Sequence, residues 1–202
     1  MSALMIHQFY AGLAPWLALS LLLLGRNPHP SRKRITGSLL LALVLLRIPV
    51  MDWSSYAWIR DVEANPSFIL TALLAVALCR RVGGPSLFGP CDWKAAWIFG
   101  SAAALVLYPM GLGLTRFDSY ELGWLPALPV ATALIASTLL LGGNRFGIVL
   151  LLPLAGFFLH LQESRNFWDA LVDPIYSGIS LIVVLVTVFR KRTAPSQTPQ
   201  CA

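Results

Sequence analysis

The stretch that decides the fold is residues 124–161, WLPALPVATALIASTLLLGGNRFGIVLLLPLAGFFLHL. It contains two long apolar runs and a single charged residue, Arg145. Between the runs lies Gly142-Gly143-Asn144, a combination typical of a turn. A helix that crosses a membrane needs about 20 mainly apolar residues, and fewer where the bilayer thins or the helix ends snorkel. We therefore interpret the stretch as two membrane-spanning helices joined by a tight turn.

The same pattern recurs along the chain of 202 residues. It predicts seven spans, at about 7–24, 35–51, 67–82, 93–114, 124–141, 146–161 and 175–189. Apolar and aromatic residues make up 57% of the chain and charged residues only 12%, whereas soluble domains carry about 25% charge. An ordinary soluble domain and a disordered chain are both excluded. We predict an all-α, polytopic transmembrane bundle, with residues 1–192 as one integral membrane domain and 193–202 as a disordered tail.

The charges are distributed unevenly between the two sides of the predicted membrane. One side carries eleven of the fifteen cations and a single acid, Asp92. These cations are Arg26, Arg32, Lys33, Arg34, Arg80, Arg81, Lys94, Arg145, Arg190, Lys191 and Arg192. The positive-inside rule then places the amino terminus outside and the carboxyl terminus in the cytoplasm. The basic charge is thus a topology signal and a contact for anionic lipids, and we expect no nucleic-acid binding.

The three cysteines, Cys79, Cys91 and Cys201, all fall on the predicted cytoplasmic side. A reducing compartment argues against disulfides, and their spacing is not that of a metal site. We therefore expect them to be free thiols.

The most informative outer loop is residues 160–174, HLQESRNFWDALVDP. If residues 165–173 are helical, Asn166, Asp169 and Asp173 share one face, and Phe167, Trp168, Leu171 and Val172 fall on the opposite face. That pattern predicts an amphipathic helix at the membrane surface. Its acids supply two candidate catalytic bases, Glu163 and Asp169. The remaining candidate binding residues of this loop are His160, Arg165, Asn166, Trp168 and Asp173.

Further candidates lie near the outer ends of other spans. Arg47 lies below the outer end of the second span, where it either snorkels or pairs with Asp52, Glu163 or Asp169. The aromatic loop that begins at Asp52 is either a membrane-interface belt or a cover over a site. His7 and His160 lie at a similar depth and are weak candidates for a metal site. We expect no cofactor.

The loop from Glu163 to Pro174, together with Tyr120-Glu121-Leu122-Gly123, resembles small, uncharacterised multi-spanning bacterial inner-membrane proteins. The resemblance covers about a tenth of the chain. It implies a multi-pass location in the bacterial inner membrane and no particular activity.

Two classes of function remain open, and a third is weaker. The first, which we favour, is a binding or accessory subunit in cell-envelope biogenesis. Its outward-facing acidic and aromatic surface would meet membrane lipids, a lipid-linked headgroup or another envelope membrane protein. The second is a small membrane enzyme whose Glu163 or Asp169 acts as general base on a lipid substrate while Arg47 or Arg165 holds a phosphate. The third is a transporter, disfavoured because no internal repeat stands out.

Overall fold

The computed structural model describes residues 3–25, 27, 30–62, 65–114 and 116–193. Helices make up 74% of it, so the all-α class is confirmed. The helices are α1 (Ala3–Leu24), α2 (Arg32–Leu45), α3 (Ser55–Val62), α4 (Phe68–Arg81), α5 (Pro90–Gly111), α6 (Ala127–Leu141), α7 (Phe146–Phe158), α8 (Phe167–Leu171) and α9 (Pro174–Thr193). The structure also has a 3-10 helix, η1 (Ser119–Trp124), and two short antiparallel strands, β1 (Pro49–Val50) and β2 (Trp53–Ser54).

Seven of these helices, α1, α2, α4, α5, α6, α7 and α9, coincide with the seven apolar segments of the sequence. They run in alternating directions. His7 near the start of α1 contacts His160 after the end of α7, and we call this end of the bundle the outer end. At the opposite end, the Asn144 side chain before α7 donates to the Cys91 carbonyl at the start of α5. Helix α1 packs between α2 and α4, α7 packs between α4 and α6, and α5 pairs with α9.

The lengths of the helices bear on the seven predicted spans. Within the described residues, one helix, at Ile6–Leu24, is long and apolar enough to cross a membrane. The helices at Ala127–Leu141, Phe146–Phe158 and Pro174–Arg190 are apolar but shorter. Helix α4, with 14 residues, is about 21 Å long at 1.5 Å per residue, against about 30 Å of hydrocarbon. The seven helices are therefore established as helices, and their crossing of a membrane stays a prediction.

The second predicted span has the wrong outer boundary. We expected helix through residue 51, but α2 ends at Leu45. Pro49 has no backbone N–H and disfavours helical geometry at Ile48, so the chain leaves the helix before it. Strand β1 then pairs with β2, and α3 follows directly. We call this hairpin and helix, residues 49–62, the flap.

Asp92 joins two helices at the end opposite the outer end. Its buried carboxylate accepts the Gly89 backbone N–H and the Arg145 backbone N–H, each at 2.7 Å. One acid thus satisfies backbone donors at the starts of α5 and α7, as acids at helix N-termini commonly do.

The cysteines depart in part from expectation. Cys79 is a free thiol, but Cys91 is disulfide-bonded, so the expectation of a free thiol is wrong for Cys91. Cys201 lies outside the described residues, as does the predicted tail beyond Thr193.

Candidate functional site

Residues 159–173, which we call the closing loop, pack into the outer end of the bundle. Helix α8 within this loop contacts α4, α7 and η1. Phe167, Trp168 and Leu171 are buried, as the apolar side of the helix predicts, but Asn166 and Asp173 are buried as well, at 1% and 2% exposure. The amphipathic surface helix expected over residues 165–173 is therefore wrong, because α8 spans only Phe167–Leu171 and polar residues at its two ends are internal.

Asn166 connects the closing loop to η1. Its side-chain oxygen accepts the Trp168 backbone N–H at 2.9 Å and so caps α8. Its side-chain amide donates to the Tyr120 carbonyl at 3.0 Å. Gly123 is required here because a Cβ at that position would lie 1.7 Å from the Asn166 Oδ1 atom. Asn166 thus positions the loop instead of facing solvent.

Trp168 is buried in the same contact between the closing loop and η1. Its indole N–H donates to the Ser119 carbonyl at 2.7 Å. A buried tryptophan usually finds such a partner because its N–H cannot be left unsatisfied. We predicted Trp168 as a binding residue, and the structure makes it an internal anchor.

Asp169 is held by two hydroxyl groups. It accepts hydrogen bonds from the Tyr120 hydroxyl at 3.0 Å and from the Ser164 hydroxyl at 2.5 Å. Burial of the Tyr120 phenol and the neighbouring charge of Asp169 raise the pKa of Tyr120 to about 12. Asp169, a candidate general base, therefore accepts a hydrogen bond from the Tyr120 phenol, which stays protonated at neutral pH.

Asp173 joins the starts of two helices. Its carboxylate accepts the Ser67 backbone N–H at 2.9 Å, the Ser67 hydroxyl at 2.5 Å and the Tyr176 backbone N–H at 2.7 Å. Ser67 caps α4, and Asp173 precedes Pro174 at the start of α9. The positive ends of two helix dipoles therefore converge on one carboxylate and stabilise its charge.

Glu163 and Arg165 are exposed, unlike Asn166 and Asp173 of the same loop. Burial raises the pKa of the Tyr56 phenol in the flap, and the nearby charges of Arg60, Glu163 and Arg47 also act on that pKa. These four side chains, Glu163, Tyr56, Arg60 and Arg47, therefore belong to one polar neighbourhood, which includes two of the predicted site residues.

The two histidines of the predicted metal site do come together. The His7 ring nitrogen Nε2 lies 2.9 Å from the His160 backbone carbonyl oxygen. The contact thus joins a ring to a backbone group, and His160 has a left-handed backbone, with φ of 53°. Within the described residues, no group of three or more His, Cys, Asp or Glu side chains could hold a metal ion.

Arg47 lies in the turn after α2 and is exposed. Its guanidinium pairs with no carboxylate that the structure describes, so the pairing that we considered with Asp52, Glu163 or Asp169 is not formed. Asp52 is itself exposed in the turn between β1 and β2. Arg47 was expected below the outer end of the second span, but α2 ends at Leu45, so Arg47 lies beyond the end of the helix.

An open groove of 610 Å³ lies between α1 and α2 at the outer end. Its walls include Gly12, Leu13, Trp16, Leu43, Arg47 and Tyr56. Tyr56 of the flap closes one side of it, since its hydroxyl donates to the Gln8 carbonyl and its ring lies 3.6 Å from a Cβ placed at Gly12. We call this space the Arg47 groove.

The flap was not predicted, although we did consider that its aromatic sequence forms a cover. Trp58 donates its indole N–H to the Val50 carbonyl at 2.9 Å, and the Trp53 and Trp58 rings lie 6.1 Å apart. The dipeptide Ile48-Pro49 was the signal in the sequence that could have revealed the flap, because the residue before a proline disfavours helical geometry.

No family model matches the chain, and no curated protein or solved structure is similar to it. The resemblance of the loop from Glu163 to Pro174 to small inner-membrane proteins is therefore unsupported by these comparisons. The function has to be inferred from the geometry of the chain's own residues.

Proposed function

We propose that this chain is a seven-span integral membrane protein of the bacterial inner membrane and that it acts as a binding or accessory component in cell-envelope biogenesis. The observation that carries the membrane part is the large apolar surface left exposed on the helices. Leu134 and Leu141 on α6 and Ile182 on α9 are 65%, 90% and 63% exposed. Monomeric soluble proteins rarely expose contiguous apolar patches larger than a few hundred Å². Lipid tails would cover such side chains without cost.

The short helices are compatible with this proposal. A span shorter than the hydrocarbon is accommodated by local bilayer thinning and by snorkelling of the flanking residues. Arg32, Arg34 and Arg80 are exposed at one end of the bundle and suit that role. At the outer end, Trp53, Trp58 and Trp124 are exposed, in keeping with tryptophan's preference for the membrane–water interface.

The proposed role as a binding or accessory component, which we call the docking part, rests on the exposed side chains at the outer end. These lie outside the buried portion of the closing loop. Among the residues that the structure describes, the exposed acids there are Asp52, Asp61, Asp118, Glu121 and Glu163. Trp53, Trp58 and Phe117 in the same segments are exposed as well. Aromatic side chains are enriched at protein interfaces, and the acids would supply charge complementarity to a partner. A general-base role is disfavoured for Asp169, because its hydrogen bonds from the Tyr120 and Ser164 hydroxyls commit that carboxylate to holding the loop.

Topology is tested with alkaline phosphatase fusions. Fusions after Ser119 and Arg165 should be active, and fusions after Lys33 and Arg81 should be silent. Because active phosphatase requires export, activity at Lys33 or Arg81 would overturn the orientation. Release of the untagged protein from membranes by alkaline carbonate would overturn membrane insertion itself.

The docking part is tested by removing the exposed acids. A triple variant, Asp118→Asn, Glu121→Gln and Glu163→Gln, should accumulate normally and fail to complement a deletion strain. Arg116→Gln on the same surface is the matched control and should complement. Full complementation by the triple variant would remove the acidic surface from the function.

A further inference from the structure

The Arg47 groove has the chemistry of a lipid site. Its walls are mainly apolar, with Leu13 and Trp16 from α1 and Leu43 from α2. Its volume of 610 Å³ lies within the range of about 300–1,000 Å³ that is typical of ligand sites. The surrounding surface of α2 is apolar too, because Leu40 and Val44 are both more than half exposed. The groove therefore opens beside a surface that the proposed membrane would contact.

Arg47 supplies the one charged side chain in the described wall of this groove. A guanidinium presents five N–H donors in a planar fork that matches phosphate oxygens. Arg47 has no carboxylate partner within the described chain, so these donors are not committed to an internal acid. An arginine at the edge of an apolar groove can bind an anion with its guanidinium while its methylene groups contact an apolar ligand.

We infer that the Arg47 groove binds one anionic phospholipid, with the lipid phosphate on Arg47 and an acyl chain along Leu13, Trp16 and Leu43. This inference rests on the proposed membrane location. The Tyr56 hydroxyl borders the same space but donates its proton to the Gln8 carbonyl, so it supplies no donor to the phosphate. The phospholipid is preferred over free phosphate because most of the wall is apolar and contributes nothing to a small ion.

The test uses the full chain in nanodiscs of phosphatidylcholine with and without phosphatidylglycerol. Native mass spectrometry then counts the lipids retained after release from the disc. The wild-type protein should retain one phosphatidylglycerol molecule. Arg47→Gln should weaken that retention about tenfold or more, as expected for loss of a charge-assisted hydrogen bond.

A second variant reaches the groove without touching the charge. Gly12 lines the groove, and a Cβ there would make ordinary van der Waals contact with the Tyr56 ring, so Gly12→Leu should place the rest of its side chain in the groove. Its thermal midpoint in detergent should stay close to that of the wild-type protein. The variant should reduce retention as Arg47→Gln does. The controls are Arg116→Gln, an exposed arginine of another outer loop, and Gly178→Leu, where nothing lies within 4 Å of an added Cβ.

Retention of phosphatidylglycerol at the wild-type level by both groove variants would overturn the lipid site. Displacement of the lipid by inorganic phosphate at equal concentration would also overturn it, since the apolar wall would then contribute nothing. Neither result would alter the activities expected of the phosphatase fusions, which report topology and not lipid binding. The failure of this inference is therefore distinguishable from the failure of the proposed membrane protein, which the fusions and carbonate extraction report.

Discussion

The closing loop and the Arg47 groove lie at the same end of the bundle and use their polar side chains in opposite ways. In the closing loop, Asn166 and Asp173 are buried and bonded to groups of other elements. Beside the groove, Arg47 is exposed and pairs with no described carboxylate. The comparison shows that a loop rich in polar residues can use them to hold the fold together. A single arginine beside an apolar groove, in contrast, is left available for a ligand.

The largest expected difference between the two regions concerns tryptophan. Trp168→Ala should lower the free energy of unfolding by about 3–5 kcal/mol, because it leaves a cavity and an unsatisfied Ser119 carbonyl. Trp53→Ala in the flap should cost less than about 1 kcal/mol, since that side chain is 52% exposed. Thermal unfolding in detergent measures both. Equal losses for the two variants would erase the contrast.

Asp173 should give the next largest effect. Asp173→Ala leaves the Ser67 N–H, the Ser67 hydroxyl and the Tyr176 N–H without their acceptor, at a cost of about 3 kcal/mol. Glu163→Gln, an exposed acid of the same loop, should be neutral in stability. The folded yield after detergent extraction and its thermal midpoint report the difference. A stable Asp173→Ala protein would mean that the two helix starts do not depend on this carboxylate.

Gly123 tests how tightly η1 and the closing loop fit together. Gly123→Ala would place a Cβ against the Asn166 side chain and should cost about 2 kcal/mol by overpacking. Gly178→Ala meets nothing within 4 Å and should be neutral or stabilising by a few tenths of a kcal/mol. The same unfolding measurement serves for both. A tolerated alanine at Gly123 would show that the loop can move away freely.

The smallest effect concerns pH. The pKa of Tyr120 is raised from 10.0 to about 12 by burial and by Asp169, so the folded state favours the protonated phenol. This contribution to stability is complete below pH 10 and is lost as the pH rises towards about 12. Tyr120→Phe should be less stable at neutral pH, and its stability should fall less steeply in that window. If stability fell with pH equally steeply in the wild-type and Tyr120→Phe proteins, the Tyr120–Asp169 hydrogen bond would not be the cause of the fall.

Much of the fold was predictable from local patterns. The apolar runs and the Gly-rich turns located all seven long helices, because helix formation in such runs depends on neighbouring residues. The outer end of α2 was missed because the apolar run continues past Pro49, so the proline and not the hydropathy decides where the helix stops. The flap followed from the same proline and was missed with it.

The candidate site was predictable only in part. Arg47 was selected for an expected depth below the end of a span, which was wrong because α2 ends at Leu45. The structure instead puts it on a groove that needs α1, α2 and the flap together. The polar face predicted for Asn166, Asp169 and Asp173 was wrong, because α8 ends at Leu171 and Val172 is extended, and Asn166 and Asp173 are buried. Helical periodicity shows which side chains share a face and is silent on the groups that the face contacts.

The sequence by itself determined the helical class, the seven apolar helices and the uneven distribution of charge, because these depend on composition and on spacing of a few residues. The tertiary structure alone decided which polar groups are internal. Ser67 and Asp173 are 106 positions apart, and Tyr120 and Asp169 are 49 apart. Whether a carboxylate faces water or a helix start depends on such distant partners. The free-energy cost of burying its charge is offset only by the hydrogen bonds that these partners donate in the folded state.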